Sequence, residues 1–126
     1  MSANKILVVD DEPDVTAYLK TYLEQHKFQV LTSSNGEEGL SLLLSEKPAV
    51  VLLDLRLGEG ISGLEVLRRG LAAKTDAQII VLTAVNDHNV ATMALGLGAT
   101  DYLTKPLLLE ELERIVLARM KEDKQR

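Results

Sequence analysis

The sequence predicts an α/β fold: a doubly wound, five-stranded parallel sheet of order 2-1-3-4-5 with five helices. Three observations carry that prediction. Short, strongly apolar runs alternate from end to end with segments whose apolar residues recur at helical spacing. The central runs are apolar at every position instead of every second one, as expected of strands covered on both faces. Right-handed crossovers between such strands leave few windings, and the order 2-1-3-4-5 sets the carboxyl ends of strands 1 and 3 side by side, with strands 4 and 5 beyond strand 3.

Ile6-Leu7-Val8-Val9 reads as strand 1, closed by Asp10-Asp11. Pro13 suits a first helical turn, and Val15, Leu19, Tyr22 and Leu23 then share one face of helix 1. Phe28 to Leu31 is strand 2. Ser34-Asn35 caps a second helix carrying Leu40, Leu43 and Leu44, which has to stop before Pro48. Ala49-Val50-Val51-Leu52-Leu53 is strand 3, ending at Asp54. The stretch Gly58-Glu59-Gly60-Ile61-Ser62-Gly63 is turn-rich, after which Leu64, Leu67 and Leu71 mark helix 3. Ala77 to Leu82 is strand 4, followed by Thr83. Asn86 or Asp87 caps helix 4, with Val90, Met93, Ala94 and Leu97 on its apolar side and Gly96 and Gly98 near its end. Ala99 to Thr104 is strand 5, leading into Lys105-Pro106. The last helix carries Leu109, Leu112, Val116 and Met120 along one side. One domain over residues 1–121 is expected, with 122–126 a charged tail or the start of a linker.

Composition narrows the function. The 126 residues are 46% apolar, enough to bury a core without staples. There is no cysteine, which removes disulfides, thiolate metal sites and cysteine nucleophiles and fits a cytoplasmic setting. No stretch has the length of a membrane span. Fourteen basic against nineteen acidic residues give a net charge of −5, the wrong sign for holding nucleic acid by phosphate neutralisation.

The strand ends point to chemistry. In open parallel sheets, ligands bind beyond the carboxyl ends of the strands, so Asp10, Asp11, Asp54, Thr83 and Lys105 can converge there although far apart in sequence. Three have a plain reading alone, Asp10-Asp11 as a helix cap, Thr83 as a strand residue and Lys105 as a solvated charge, whereas an Asp such as Asp54 closing a buried apolar run is rarely needed for folding. Together they suggest a phosphate and metal site. Two unit charges about 4 Å apart repel by roughly 4 kcal/mol at an effective dielectric of ~20, so three converging carboxylates call for a cation. Mg²⁺ suits oxygen ligands of this kind. His26 reads as a helix C-terminal residue and His88 as first-turn surface; neither has the setting of a phosphohistidine.

In Ile6-Leu7-Val8-Val9-Asp10-Asp11-Glu12, Val51-Leu52-Leu53-Asp54, Val81-Leu82-Thr83-Ala84 and Gly98-Ala99-Thr100-Asp101-Tyr102-Leu103-Thr104-Lys105-Pro106, the chain resembles the receiver domains of two-component response regulators over essentially its whole length. That resemblance implies a flavodoxin-like receiver fold and a phosphorelay switch, not an enzyme with an external substrate. Asp54 would accept a phosphoryl group from a sensor histidine kinase or a histidine phosphotransfer protein. Asp10, Asp11, Asp54 and the backbone carbonyl of Arg56 would hold Mg²⁺, Thr83 and Lys105 would contact the phosphoryl group, and Tyr102 would turn inward when Thr83 moves. A second copy or an effector is expected on the face made by helix 4, strand 5 and helix 5. Two departures stand out: Gly58 replaces the usual proline four residues after the acceptor, and the loop to Gly63 is one residue longer. The Arg56 side chain lies either beside the phosphoryl group or in solvent. A competing class, hydrolases with an aspartyl-phosphate intermediate, uses a second Asp two residues after the nucleophile, and here that place is Arg56. A third, a module that keeps the fold without the chemistry, does not need all five family positions filled.

Overall fold

The computed structural model describes residues 2–84 and 86–120. The chain forms β1 (Ser2–Val9), α1 (Pro13–Gln25), β2 (Gln29–Ser33), α2 (Gly36–Glu46), β3 (Pro48–Asp54), α3 (Gly63–Ala72), β4 (Gln78–Ala84), α4 (His88–Leu97) and β5 (Asp101–Lys105). A last helix, α5, starts at Leu109–Leu112 and continues through a π-helical turn, Glu113–Leu117. The tail at 122–126 lies outside the described residues.

The strands form one parallel sheet in the order β2-β1-β3-β4-β5, as the sequence predicts. Every residue of β3 is buried, because it lies at the centre with helices on both sides. Strand alternation divides the core into two. Ile6, Val8, Val50, Leu52, Ile80, Leu82 and Leu103 pack with Leu19 and Leu23 of α1 and with Leu112, Val116 and Met120 of the last helix. Leu7, Val9, Val51, Leu53, Ile79 and Val81 pack with Leu43 of α2, Val66 and Leu67 of α3 and Ala94 of α4.

The local signals act as chemistry dictates. Asn35 Oδ1 accepts from the Glu38 N–H at 2.8 Å and Ser62 Oγ from the Glu65 N–H at 3.1 Å, capping α2 and α3. Gly98, at φ 125°, ends α4. Some amphipathic readings need correcting. Leu44, Met93, Leu97 and Leu109 are all substantially exposed, so α4 buries mainly its alanines and presents Met93 and Leu97 outward. Two or three small residues suffice where a helix lies close to the sheet, and the larger apolar residues are left on the outside.

Candidate functional site

Pairing fixes β3 to its very end, with β1 through Leu53 and with β4 through Asp54. Asp54 is in register with Leu82 of β4, and the next N–H, of Leu55, still donates to the Leu82 carbonyl at 3.1 Å. The start of α3 rests directly on this backbone: a Cβ on Gly63 would lie 2.6 Å from Leu55 Cα and closer still to the Asp54 carbonyl oxygen. On the neighbouring strand the Asp10 N–H donates to the Ser33 carbonyl at 3.0 Å, and Asp10 Oδ1 accepts from the Glu12 N–H at 2.9 Å. Both carboxylates are thus held by ladder ends, not by mobile loops.

Lys105 joins them. Its Nζ lies 3.1 Å from Asp54 Oδ2, 2.8 Å from Asp10 Oδ2 and 2.6 Å from Glu12 Oε1. Asp10, Asp54 and Thr83 are buried, whereas Glu12 is exposed. The Lys105–Pro106 peptide is cis. Burial pushes the Asp54 carboxyl above its ordinary value of 3.8, and the Asp10 charge adds to the effect. The Arg56 N–H, which donates to Asp54 Oδ1 at 2.9 Å, and Lys105 only partly offset it. Burial opposes the charge on Lys105, but its close contacts with Asp10, Glu12 and Asp54 outweigh it and raise its pKa.

Ligand oxygens of Asp10, Glu12 and Asp54 lie within 4.8 Å of one another. Asp10 Oδ2 is buried and, despite its close ionic contact with Lys105, has no hydrogen bond of acceptable direction. A buried carboxylate oxygen with unused lone pairs, among hard oxygen donors and without sulfur or imidazole, fits Mg²⁺. Asp11 stands apart from this cluster: it is exposed, and its Oδ2 reaches toward Gly58, 3.2 Å from where a Cβ there would be. Glu12 joins the cluster although only its place next to Asp10-Asp11 marks it in the sequence.

Thr83 and Tyr102 share the other face of the sheet. Alternation along β4 puts Thr83 on the side of Ile79 and Val81, and Tyr102, in register with Val81, packs half-buried against that same cluster. The Arg56 side chain lies mostly in solvent, turned to Asp87. Its guanidinium forms a two-point ion pair with Asp87, 2.6 Å from Nε to Oδ2 and 2.8 Å from Nη2 to Oδ1. The long loop after Asp54 is gripped from α2, where Glu37 Oε2 accepts from the Ile61 N–H at 2.9 Å.

Comparison with known proteins agrees with this geometry. Residues 6–117 match the family described as the response regulator receiver domain. The alkaline phosphatase synthesis transcriptional regulatory protein PhoP of Bacillus subtilis is 39% identical over 114 residues, 90% of this chain and 47% of that protein. The transcriptional regulatory protein KdpE of Mycobacterium tuberculosis is 41% identical over 106 residues, 84% of this chain and 46% of its own. The chain therefore spans about half the length of these relatives. Among solved structures, the BeF3-activated N-terminal receiver domain of Klebsiella pneumoniae RstA superposes with a TM-score of 0.85 at 29% identity, covering 94% of this chain and 99% of that one. The signal receiver domain of a Vibrio parahaemolyticus Luxo repressor protein, at 24% identity and a TM-score of 0.89, shares the fold. A parallel sheet in this order, two buried carboxylates and a lysine at one edge, and a match over residues 6–117 lead to one conclusion: the chain belongs to the response regulator receiver domain family.

Proposed function

We propose that this receiver domain is a phosphorylation-controlled switch in which Asp54 is the phosphoacceptor, supplied by a sensor histidine kinase or a histidine phosphotransfer protein. The observation that carries the reading is the Lys105 ammonium lying between two buried carboxylates, Asp10 and Asp54, at the carboxyl edge of the sheet. An Asp54 oxygen attacks the phosphorus of a phosphohistidine, the P–N bond breaks, and its electron pair stays on the imidazole. A carboxylate nucleophile needs no general base, so the protein's task is positioning and charge neutralisation. Asp10, Asp54 and the Arg56 carbonyl would hold Mg²⁺, and the exposed Asp11 would turn from Gly58 to join them. When bound, the ion neutralises charge on the transferring oxygens.

Lys105 already bonds Asp54, which bears on how switching is driven. Only the increase in its interaction on phosphorylation contributes to a population shift. A new charge-assisted hydrogen bond from Thr83 adds about 1.5–3 kcal/mol, against the ~5.5 kcal/mol needed to move a 1:99 equilibrium to 99:1. Thr83 and the gain at Lys105 together are of the right order. Movement of Thr83 along its face would open space for Tyr102. The exposed Met93 and Leu97 of α4 offer an apolar surface beside it, where a second copy or an effector would dock. Among the described residues no helix is long and apolar enough to cross a membrane.

Incubation with Mg²⁺ and acetyl phosphate, read by intact mass, tests the assignment. A phosphoryl adduct that disappears in Asp54→Asn is expected. An adduct that persists in that variant, or none in the wild type, would overturn it, and turnover of added phosphomonoesters would favour a hydrolase.

A further inference from the structure

Asp87 immediately precedes α4, where an aspartate ordinarily caps the helix, yet its side chain makes no capping hydrogen bond. The carboxylate is turned to Arg56 instead, with both oxygens engaged. The Asp87 side chain is 10% exposed while that of Arg56 is 72% exposed, so the aspartate is seated in the fold and the arginine reaches over to it. Arg56 is anchored at its other end, through its backbone N–H, to Asp54 Oδ1. Asp87 is tied in turn to the end of β4, its N–H donating to the Ala84 carbonyl at 3.0 Å. One residue therefore spans from the acceptor carboxylate to the turn that follows Thr83.

We propose that Arg56 and Asp87 are a positioning pair, a clasp that fixes the β4–α4 turn relative to Asp54 and opposes movement of Thr83 toward a phosphoryl group. The inference rests on the proposed role of Asp54. A two-point guanidinium–carboxylate contact needs both groups coplanar and in register, so a small shift of the turn breaks it. Arg56 is mostly exposed, which limits the effect to about two- to fivefold in an equilibrium.

A double-mutant cycle reads this directly. Wild type, Arg56→Ala, Asp87→Ala and the double variant are titrated with beryllofluoride in the presence of Mg²⁺, with amide exchange followed over residues 86–90. Each single substitution is expected to raise beryllofluoride affinity about two- to fivefold and to speed exchange at the start of α4, with the double variant no further changed. Arg56→Lys, which keeps the charge and loses the fork, should fall between wild type and Arg56→Ala. Asp87→Asn serves as a second, shape-preserving variant. Additive single effects, or no change in affinity, overturn the clasp alone. Failure of the wild type to bind beryllofluoride overturns the reading of Asp54 and the clasp with it.

Discussion

Replacing Lys105 with methionine leaves two buried carboxylates, Asp10 and Asp54, without their shared counter-charge. Both are nearly inaccessible, at 1% and 5%, and the Lys105 side chain is itself only 18% exposed, so solvent cannot replace it. Removing one partner of a buried ion pair typically costs 3–5 kcal/mol. Partial access through the Lys105 position argues for the lower end, about 3 kcal/mol in metal-free buffer at pH 7. For a domain of this size that corresponds to a fall in Tm of roughly 10 °C. Urea denaturation in EDTA measures it. The pH dependence has a definite sign. Asp54 has a raised pKa in the fold, so the stability from its neutral form is complete below its ordinary 3.8 and is lost as pH rises through the folded value. Without Lys105 that value rises further, so the deficit of Lys105→Met should be largest at neutral pH and shrink on acidification. Mg²⁺ and the substitution Asp54→Asn should each reduce it. A loss below about 1 kcal/mol that ignores pH, Mg²⁺ and Asp54→Asn would refute the electrostatic account.

Three further outcomes are expected. Gly63→Ala places a Cβ against the backbone of Asp54 and Leu55, so it should destabilise by about 1–3 kcal/mol in chemical denaturation and lower phosphorylation of Asp54 by displacing it. Asn35→Ala removes the cap of α2 and should cost about 1 kcal/mol, with Asn35→Asp close to neutral. Tyr22, pushed up to about 12 by burial and by its 3.1 Å hydrogen bond to Glu113, should titrate in ultraviolet absorbance well above an ordinary tyrosine, and Glu113→Gln should bring it down.

Much of this molecule is readable from residue order because its signals are local. Apolar runs of strand length, Asn35 before α2 and Gly98 after α4 each act within a few residues. The strand ends were equally legible, since sheet order alone brings Asp10, Asp54 and Lys105 together. What escaped depends on side-chain reach between loops. Glu12 reaches Lys105 across 93 positions, and Arg56 reaches Asp87 across 31. Nothing near Asp87 marks it as an ion-pair partner, because an aspartate before a helix already has an adequate local explanation. The apolar side of α4 was misjudged for a related reason. Periodicity reports that a helix has an apolar stripe but not whether the sheet or another surface covers it.

The sheet also divides labour. Asp10, Asp54 and Lys105 follow the strand parity of the α1 and α5 side, whereas Thr83 and Tyr102 follow that of the α3 and α4 side. The sheet between these faces is solid with buried aliphatic side chains, so the two sets of residues come together at its carboxyl edge. A side chain packed under α1 can therefore change without disturbing the packing under α3 and α4.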